Sequence, residues 1–150
     1  MPRMRLRGFD CHDSRATFFV TACTRDRENL FGDGRLARLV VNSLGWIRLN
    51  RGTLIFAYCV MPDHLHVLRK IDDDRFSLDD IMSLMKNHVN RESWKLGYRG
   101  SLWQARFYDH ILSDWEDGQA TVEYILQNPE RKGIVARAED YPYSGVPDPL

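Results

Sequence analysis

The sequence predicts an α+β fold, a ferredoxin-like split β-α-β sandwich whose antiparallel sheet has helices packed on one face. Three observations predict it. The apolar patterns follow the order β-α-β-β-α-β-α, only three residues separate two of the strand patterns, and the other strands alternate with helical patterns. A hairpin between two β-α units is typical of this fold. Residues 1–150 are therefore predicted to form a single domain.

The first half of the chain contains three predicted strands and one predicted helix. Residues 17–24 are rich in β-branched and aromatic side chains and predict a strand, and residues 53–60 and 64–71 are the second and third predicted strands. The last two segments are joined by the tight connection 61–63, which predicts a hairpin. Residues 35–50 place apolar side chains at helical spacing and so predict a helix between the first two strands.

The second half adds two predicted helices and one predicted strand. Residues 78–96 carry an apolar stripe at helical spacing, and the aromatic run 102–113 predicts the fourth strand. Asp114 is placed to cap a last helix over residues 115–128, which Pro129 is expected to end. An irregular tail is predicted to close the chain.

The net charge of zero, from 21 basic and 21 acidic residues, counts against a nucleic-acid-binding protein. Two details weaken this objection. The basic residues are 17 arginines and 4 lysines, and arginine binds phosphate through two parallel hydrogen bonds, although a coding bias toward arginine explains the count equally well. Residues 1–51 contain ten arginines and five acids, whereas residues 52–150 contain 11 basic and 16 acidic residues. The expectation is an arginine-lined track beside a site rather than a basic protein.

The sequence shows no feature of a membrane or secreted protein. No apolar run approaches the length of about 18 residues that a spanning helix needs. The N-terminal residues lack the apolar core of a secretory signal. The three scattered cysteines fit a reducing compartment. A cytoplasmic location is therefore expected.

Two histidines on the third predicted strand are the first candidate functional residues. Because side chains alternate across a strand, His64 and His66 point to one face while Leu65 points to the other. Two imidazoles on an open face can hold a divalent cation. Two unrelated surface histidines would give the same pattern. A zinc hydrolase built on this pair would need a third histidine, cysteine or acidic ligand, and the sequence offers none at a suitable spacing.

The last predicted helix carries a tyrosine and an asparagine one turn apart. At about 100° per residue, Tyr124 and Asn128 both lie away from the apolar stripe formed by Val122 and Ile125. In one interpretation the tyrosine only covers a neighbouring loop. In the other, the Asn128 amide oxygen completes a His-His-amide site for Mg²⁺ or Mn²⁺, and Tyr124 attacks a metal-bound phosphate.

Four motifs together resemble the single-tyrosine HUH transposases, and within them the REP-associated tyrosine transposases. They are VMPDHLHVL at 60–68, LWQ at 102–104, YDH at 108–110 and YILQNP at 124–129. The order and spacing of the first and last motifs are specific, although neither motif is specific alone. The resemblance extends from residues 17–24 to the tail at 141–144.

The resemblance implies an enzyme that binds single-stranded DNA next to a hairpin and cuts one strand with a divalent metal. It implies a 5′-phosphotyrosine intermediate and a free 3′-OH, so that strands are cut and rejoined by transesterification. His64 and His66 match the HUH metal ligands, and Tyr124 matches the nucleophile. Asn128 matches the third metal position, where insertion-sequence relatives usually carry glutamine. Asp63 replaces the commoner asparagine, and the preferred interpretation is a turn residue only.

The resemblance also implies partners and a location. The expected partner is single-stranded DNA with hairpin (REP-like) sequences, the expected cofactor is Mg²⁺ or Mn²⁺, and the expected location is the bacterial cytoplasm, at the nucleoid. A monomer is favoured, and a homodimer that exchanges the tyrosine helix is the alternative. The alternative function is a non-catalytic, domesticated regulator that binds hairpin DNA or RNA on the same fold. The intact set of His64, His66 and Tyr124 argues against that alternative.

Further residues are candidates for assisting catalysis or contacting DNA, each with a structural alternative. His110, with Asp109 before it, can contact DNA or assist proton transfer. Trp103 and Gln104 can stack on or bond to a base, although a core position is favoured for Trp103. Polar residues of the second predicted helix can line a phosphate track or form a solvated face: Lys86, Asn87, Asn90 and Arg91. A basic N-terminal arm can reach DNA or be disordered: Arg3, Arg5 and Arg7.

Overall fold

The computed structural model of the chain describes residues 16–73, 75–113 and 116–150. The strands are β1 (Thr17–Cys23), β2 (Thr53–Met61), β3 (His64–Ile71), β4 (Tyr108–Ile111) and β5 (Ser144–Gly145). The α-helices are α1 (Gly34–Asn50), α2 (Leu78–Trp94) and α3 (Gly118–Arg131), and short 3₁₀ turns lie at Arg25–Arg27 and Ala138–Asp140.

The strands form one sheet in the order β4-β1-β3-β2-β5, and every neighbouring pair is antiparallel. The first four strands with α1 and α2 give the split β-α-β arrangement, which confirms the predicted fold class. The short strand β5 was not predicted. It adds Ser144 and Gly145 to the outer edge of β2, and two residues are too few to leave an alternating pattern in the sequence.

The helices occupy both faces of the sheet, which corrects the prediction of helices on one face. α1 and α2 pack on the face that carries Leu65 and Val67, and these residues share one large core cluster. α3 packs on the other face, where Val122 and Ile125 meet Leu68 and apolar residues of β2. Because β2 and β3 have buried apolar side chains on both faces, the sheet needs a helix on each side. The face that carries the histidine pair is therefore covered by α3.

Each helix begins at a side-chain cap. Asp33 precedes α1 and accepts a hydrogen bond from a first-turn amide at 3.0 Å. Ser77 and Asp80 form a reciprocal capping box at the start of α2, with bonds of 3.1 and 3.0 Å. Asp117 caps α3 through a bond of 2.9 Å, so the helix begins at Gly118 and later than expected; the predicted cap Asp114 lies outside the described residues.

α3 continues past the proline that was expected to end it. Pro129 lies in the last turn, where its fixed φ suits a helix and its missing N–H removes a single backbone bond. The Lys132 amide still donates to the Asn128 carbonyl at 3.0 Å. As a result, Asn128 sits inside the helix, one turn below Tyr124.

The predicted fourth strand is mostly irregular, because only Tyr108–Ile111 pairs with β1. Trp103 makes a single bridge with Thr24, and its ring packs 5.1 Å from that of Phe31 in the core, as expected. The intervening segment bends around Lys86, whose ammonium group donates to the carbonyls of Gln104 at 2.9 Å and Arg106 at 3.3 Å. Such long-range bonds leave no pattern in the local sequence.

No helix among the described residues has both the length and the apolar composition that a membrane crossing requires. Cys23 and Cys59 are free and buried, and the Cys23 sulfur also accepts a hydrogen bond from Arg27 at 3.3 Å. Burial raises the pKa of the Cys59 thiol to about 12, so this thiol is unreactive at neutral pH.

Asp148 attaches the C-terminal tail to α1 and β2. Its hydrogen bonds lead to a prediction about stability. Its carboxylate accepts two bonds from Arg48, at 2.7 and 2.8 Å, and one from the Ile55 amide at 2.8 Å. Replacing Asp148 with alanine leaves these donors without their acceptor and is expected to lower the free energy of unfolding by about 1–3 kcal/mol, measured by urea denaturation. The Arg48 hydrogen bonds lower the pKa of Asp148, so this contribution is present at neutral pH and is lost as the pH falls into the acid range.

The control for this prediction is Glu139, which pairs with Arg137 at 2.7 Å on the surface. Both side chains are more than 60% exposed, at 63% and 68%. Glu139→Ala is expected to leave the free energy of unfolding nearly unchanged, because solvent screens an exposed ion pair. An equal loss in both variants would show that Asp148 does not fasten the tail.

Candidate active site

The histidine pair lies near the start of β3, in the middle of the sheet. Its neighbours on β1 are Cys23, opposite His64, and Thr21, opposite His66. Both imidazoles point to the face covered by α3, as the alternation of the strand predicted. His64 is buried, with 7% of its surface exposed, and His66 is partly buried.

Each imidazole forms a hydrogen bond through its Nδ1 atom. His64 Nδ1 lies 2.7 Å from Asp63 Oδ1, and His66 Nδ1 lies 2.9 Å from Thr21 Oγ1. A carboxylate oxygen can only accept, so His64 carries its proton on Nδ1. The two Nε2 atoms face each other at 3.2 Å. Both rings therefore direct their Nε2 atoms to one point.

Burial keeps both imidazoles neutral at physiological pH. Desolvation, together with the nearby His64 and Arg131, lowers the pKa of His66 to about 3. Desolvation also lowers the pKa of His64, although its bond to Asp63 acts in the opposite direction. Burial tends to raise the pKa of Asp63, but the hydrogen bonds from His64 and Arg27 bring it below its ordinary value. Neutral imidazole is the form that coordinates metals.

α3 brings Tyr124 and Asn128 to the histidines. The Asn128 side chain is buried, with its amide nitrogen 3.4 Å from His64 Nε2. The Tyr124 ring is 52% exposed and lies 6.3 Å from the ring of His66 and 6.2 Å from that of Phe19. Tyr124 thus points away from the core, as predicted, whereas Asn128 lies at the edge of the apolar stripe and faces the sheet.

Cationic side chains border the site. The Arg131 guanidinium lies 4.2 Å from the centre of the Tyr124 ring and donates to the Tyr124 carbonyl at 2.9 Å. Arg27 and Lys132 line a cavity of about 310 Å³ beside His64, together with Asn29. This arrangement agrees with the expected arginine-lined track beside the histidine face, and it suits a negatively charged backbone.

The donor set fits a divalent cation. Among the described residues no three His, Cys, Asp or Glu side chains come together, so a third protein ligand would be the Asn128 amide. The Thr21 hydroxyl can accept from His66 Nδ1, and in that tautomer the Nε2 lone pairs of both rings face one point, 3.2 Å apart, where a cation would bind them. Rotation of the Asn128 side-chain amide by a half-turn would direct its oxygen toward the same point. Imidazole with amide oxygen suits Mn²⁺ or Mg²⁺.

Comparison with known proteins identifies the family. The model of the IS200-like transposases matches residues 14–128. The chain belongs to the IS200-like transposase family. It is 32% identical over 100 residues to a Haemophilus influenzae protein provisionally named REP-associated tyrosine transposase, covering 59% of this chain and 56% of that protein. It is 25% identical over 128 residues to the REP-associated tyrosine transposase of Escherichia coli K12, covering 85% of this chain and 74% of that protein.

One solved structure has the same fold as this chain. It is described as a REP-associated tyrosine transposase bound to a REP hairpin, with a TM-score of 0.75 and 23% identity. The match covers 96% of this chain and 82% of that one. The chain spans 56% of the length of the Haemophilus relative. The resemblance inferred from the sequence motifs is thereby confirmed.

The remaining candidate residues of this transposase-family chain differ in their position relative to the histidine pair. His110 lies on the histidine face of β4, opposite Phe19, and its Nε2 is bonded to Glu116 at 2.8 Å. Asp109 points to the other face, where it is buried. Gln104 lies at the end of β1, where its side chain donates to the Thr24 carbonyl at 3.1 Å.

The helical candidates are separated from the histidines by the sheet, because α2 packs on the opposite face. Lys86 holds the backbone of the 104–106 segment, as described above. Asn90 is buried and bonds to Ser101 and to the Leu102 amide. Asn87 and Arg91 are solvent-exposed on the same helix. The N-terminal arm lies outside the described residues: Arg3, Arg5 and Arg7.

Sequence reasoning missed the residues that support the histidines. The sequence predicts Thr21 and Phe19 only as residues of the first strand and assigns neither a function. In the structure, Phe19 packs edge-on against His66, with the ring centres 5.3 Å apart. Asp63 was interpreted as a turn residue only, and its bond to His64 corrects that interpretation. Its position next to a histidine of a possible metal pair was the available signal, since metal-binding histidines usually donate to a carboxylate.

Proposed function

We propose that this protein cuts and rejoins single-stranded DNA next to a hairpin through a phosphotyrosine at Tyr124. The observation that carries the proposal is the convergence of two elements distant in sequence. Tyr124 and Asn128 of α3 lie beside His64 and His66 of β3 in one cluster. An isolated histidine pair or an isolated exposed tyrosine would not support this chemistry.

The proposed reaction is a transesterification. The Tyr124 oxygen attacks the scissile phosphorus, the bond to the 3′ oxygen breaks, and that oxygen leaves as a 3′-OH after taking up a proton. His64, His66 and Asn128 would hold Mg²⁺ or Mn²⁺, which polarises the phosphate and so helps a hydroxyl that is a poor nucleophile when protonated. Arg131 and Lys132 bind the neighbouring backbone phosphates. The number of phosphodiester-type bonds is unchanged, so the step is reversible without ATP.

Two further observations support the choice of partner and the monomer. The structural neighbour is described as bound to a REP hairpin, and this chain shares its fold. α3 packs on its own sheet, with Tyr124 beside His66 of the same chain. A site completed within one chain is therefore proposed, rather than a dimer that exchanges the tyrosine helix.

The experiment uses hairpin DNA with a single-stranded flank, taken from repeats around the gene and labelled at either end. With Mn²⁺ or Mg²⁺, the strand is expected to be cut, with the 3′-labelled piece bound covalently to protein and the 5′-labelled piece released with a free 3′-OH. Addition of EDTA is expected to abolish the adduct. Hairpin binding without cutting at any metal concentration would instead favour the non-catalytic regulator.

A further inference from the structure

Hydrogen bonds connect the side chains of His64, Asp63 and Arg27. Asp63 Oδ1 accepts from His64 Nδ1 at 2.7 Å, and Asp63 Oδ2 accepts from Arg27 Nε at 3.0 Å. The Asp63 side chain is about one-third exposed and that of Arg27 is 47% exposed. Each carboxylate oxygen thus has its own partner, so the carboxylate cannot rotate without breaking one of the two bonds.

The backbone around Asp63 and Arg27 is also fixed. The Asp63 carbonyl accepts from the Thr24 amide at 2.9 Å, which ties the β2–β3 connection to the end of β1. Asp26 and Arg27 adopt φ values of 50° and 54°, a left-handed conformation that residues other than glycine rarely take. Such strain persists only where surrounding contacts hold it, and it concentrates at functional sites. The Arg27–Asp63 pair is one of those contacts.

We infer that Asp63 is a positioning residue, which fixes the Nδ1-protonated tautomer of His64 and directs its Nε2 lone pair to the proposed metal position, with Arg27 locking the carboxylate. A ring protonated on Nε2 would point a hydrogen at His66, 3.2 Å away, and could not coordinate. This role goes beyond a turn residue, because a turn needs only the backbone of Asp63. It rests on the proposed function in one respect, that His64 is taken as a ligand.

The test reads the tautomer directly in the metal-free protein. A long-range proton–nitrogen correlation spectrum of protein labelled at its histidines reports which ring nitrogen carries the proton, and the His64→Gln variant assigns the His64 signals. Wild type is expected to show His64 protonated on Nδ1. Asp63→Ala is expected to lose this preference. Asp63→Asn is expected to keep it, because the amide oxygen still accepts from Nδ1.

A second readout is Mn²⁺ affinity by isothermal titration. Asp63→Ala is expected to weaken it about 10- to 100-fold, the usual cost of losing the hydrogen-bond partner of a metal-binding histidine. The matched control is Glu28→Ala, which removes a carboxylate bonded to Arg25 at 3.4 Å in the same 3₁₀ region. Glu28→Ala is expected to leave the tautomer and the affinity at wild-type values. Melting temperatures are measured for all variants.

The positioning role is overturned if Asp63→Ala keeps the wild-type tautomer, even where its melting temperature falls. It is also overturned if Asp63→Asn loses the tautomer as fully as Asp63→Ala, because the hydrogen bond would then not be the cause. These outcomes are independent of DNA cleavage. A failed cleavage assay with an intact Asp63 effect contradicts the proposed function alone.

Discussion

Replacing Tyr124 with phenylalanine is expected to abolish the covalent protein–DNA adduct while the protein still binds hairpin DNA. The substitution removes one hydroxyl and keeps the ring that contacts Phe19, His66 and Arg131. Because the side chain is half exposed, the free energy of unfolding is expected to change by no more than about 0.5 kcal/mol. Without the hydroxyl no bond to phosphorus can form, and adduct is expected to fall below detection on a denaturing gel.

The matched control is Tyr108→Phe. Tyr108 lies on β4 opposite Thr21, on the same face of the sheet as the histidines. The Tyr108→Phe variant is expected to form the adduct at the wild-type level. Adduct formation by Tyr124→Phe, or its loss in Tyr108→Phe alone, would mean that the nucleophile is another residue.

Replacing His66 with alanine is expected to remove most of the affinity for Mn²⁺ and, with it, DNA cleavage. Loss of a hydrogen-bond partner behind a ligand costs about 10- to 100-fold in affinity, and loss of the ligand itself is expected to cost more. The remaining Nε2 of His64 and the Asn128 amide would leave at most two protein ligands. The affinity is measured by isothermal titration or by the Mn²⁺ electron paramagnetic resonance signal, in the absence of DNA.

His88→Ala is the control for this variant. His88 lies on α2, on the far side of the sheet, and lines a separate cavity with Trp46 and Arg91. The His88→Ala variant is expected to bind Mn²⁺ with wild-type affinity. If His66→Ala also keeps that affinity, the proposed metal position is wrong, whatever the effect on cleavage.

The strand and helix order could be predicted because it depends on local patterns. Alternation along 64–71 placed the two histidines on one face, and the helical spacing around Ile125 placed Tyr124 outside the core stripe. Both expectations are confirmed by the geometry. The functional roles of these residues remain predictions that the experiments above test.

Two of the wrong predictions, helices on one face and a long fourth strand, have a common physical origin in contacts between distant parts of the chain. α3 covers the histidine face because Leu68 and the apolar residues of β2 need partners there, which no local pattern reveals. The 102–113 segment bends because Lys86 binds its carbonyls. The bond from His64 to Asp63 depends on side-chain rotamers in the hairpin, so the sequence could suggest it only through the adjacency of the two residues.

The most direct test of the central claim is to identify the residue that carries DNA. Wild-type protein is incubated with its hairpin substrate and Mn²⁺, digested with protease and nuclease, and sequenced by tandem mass spectrometry. A nucleotide attached through its 5′ phosphate to Tyr124 is the predicted result. A nucleotide on any other residue, or cleaved DNA with no protein attachment, would contradict the account.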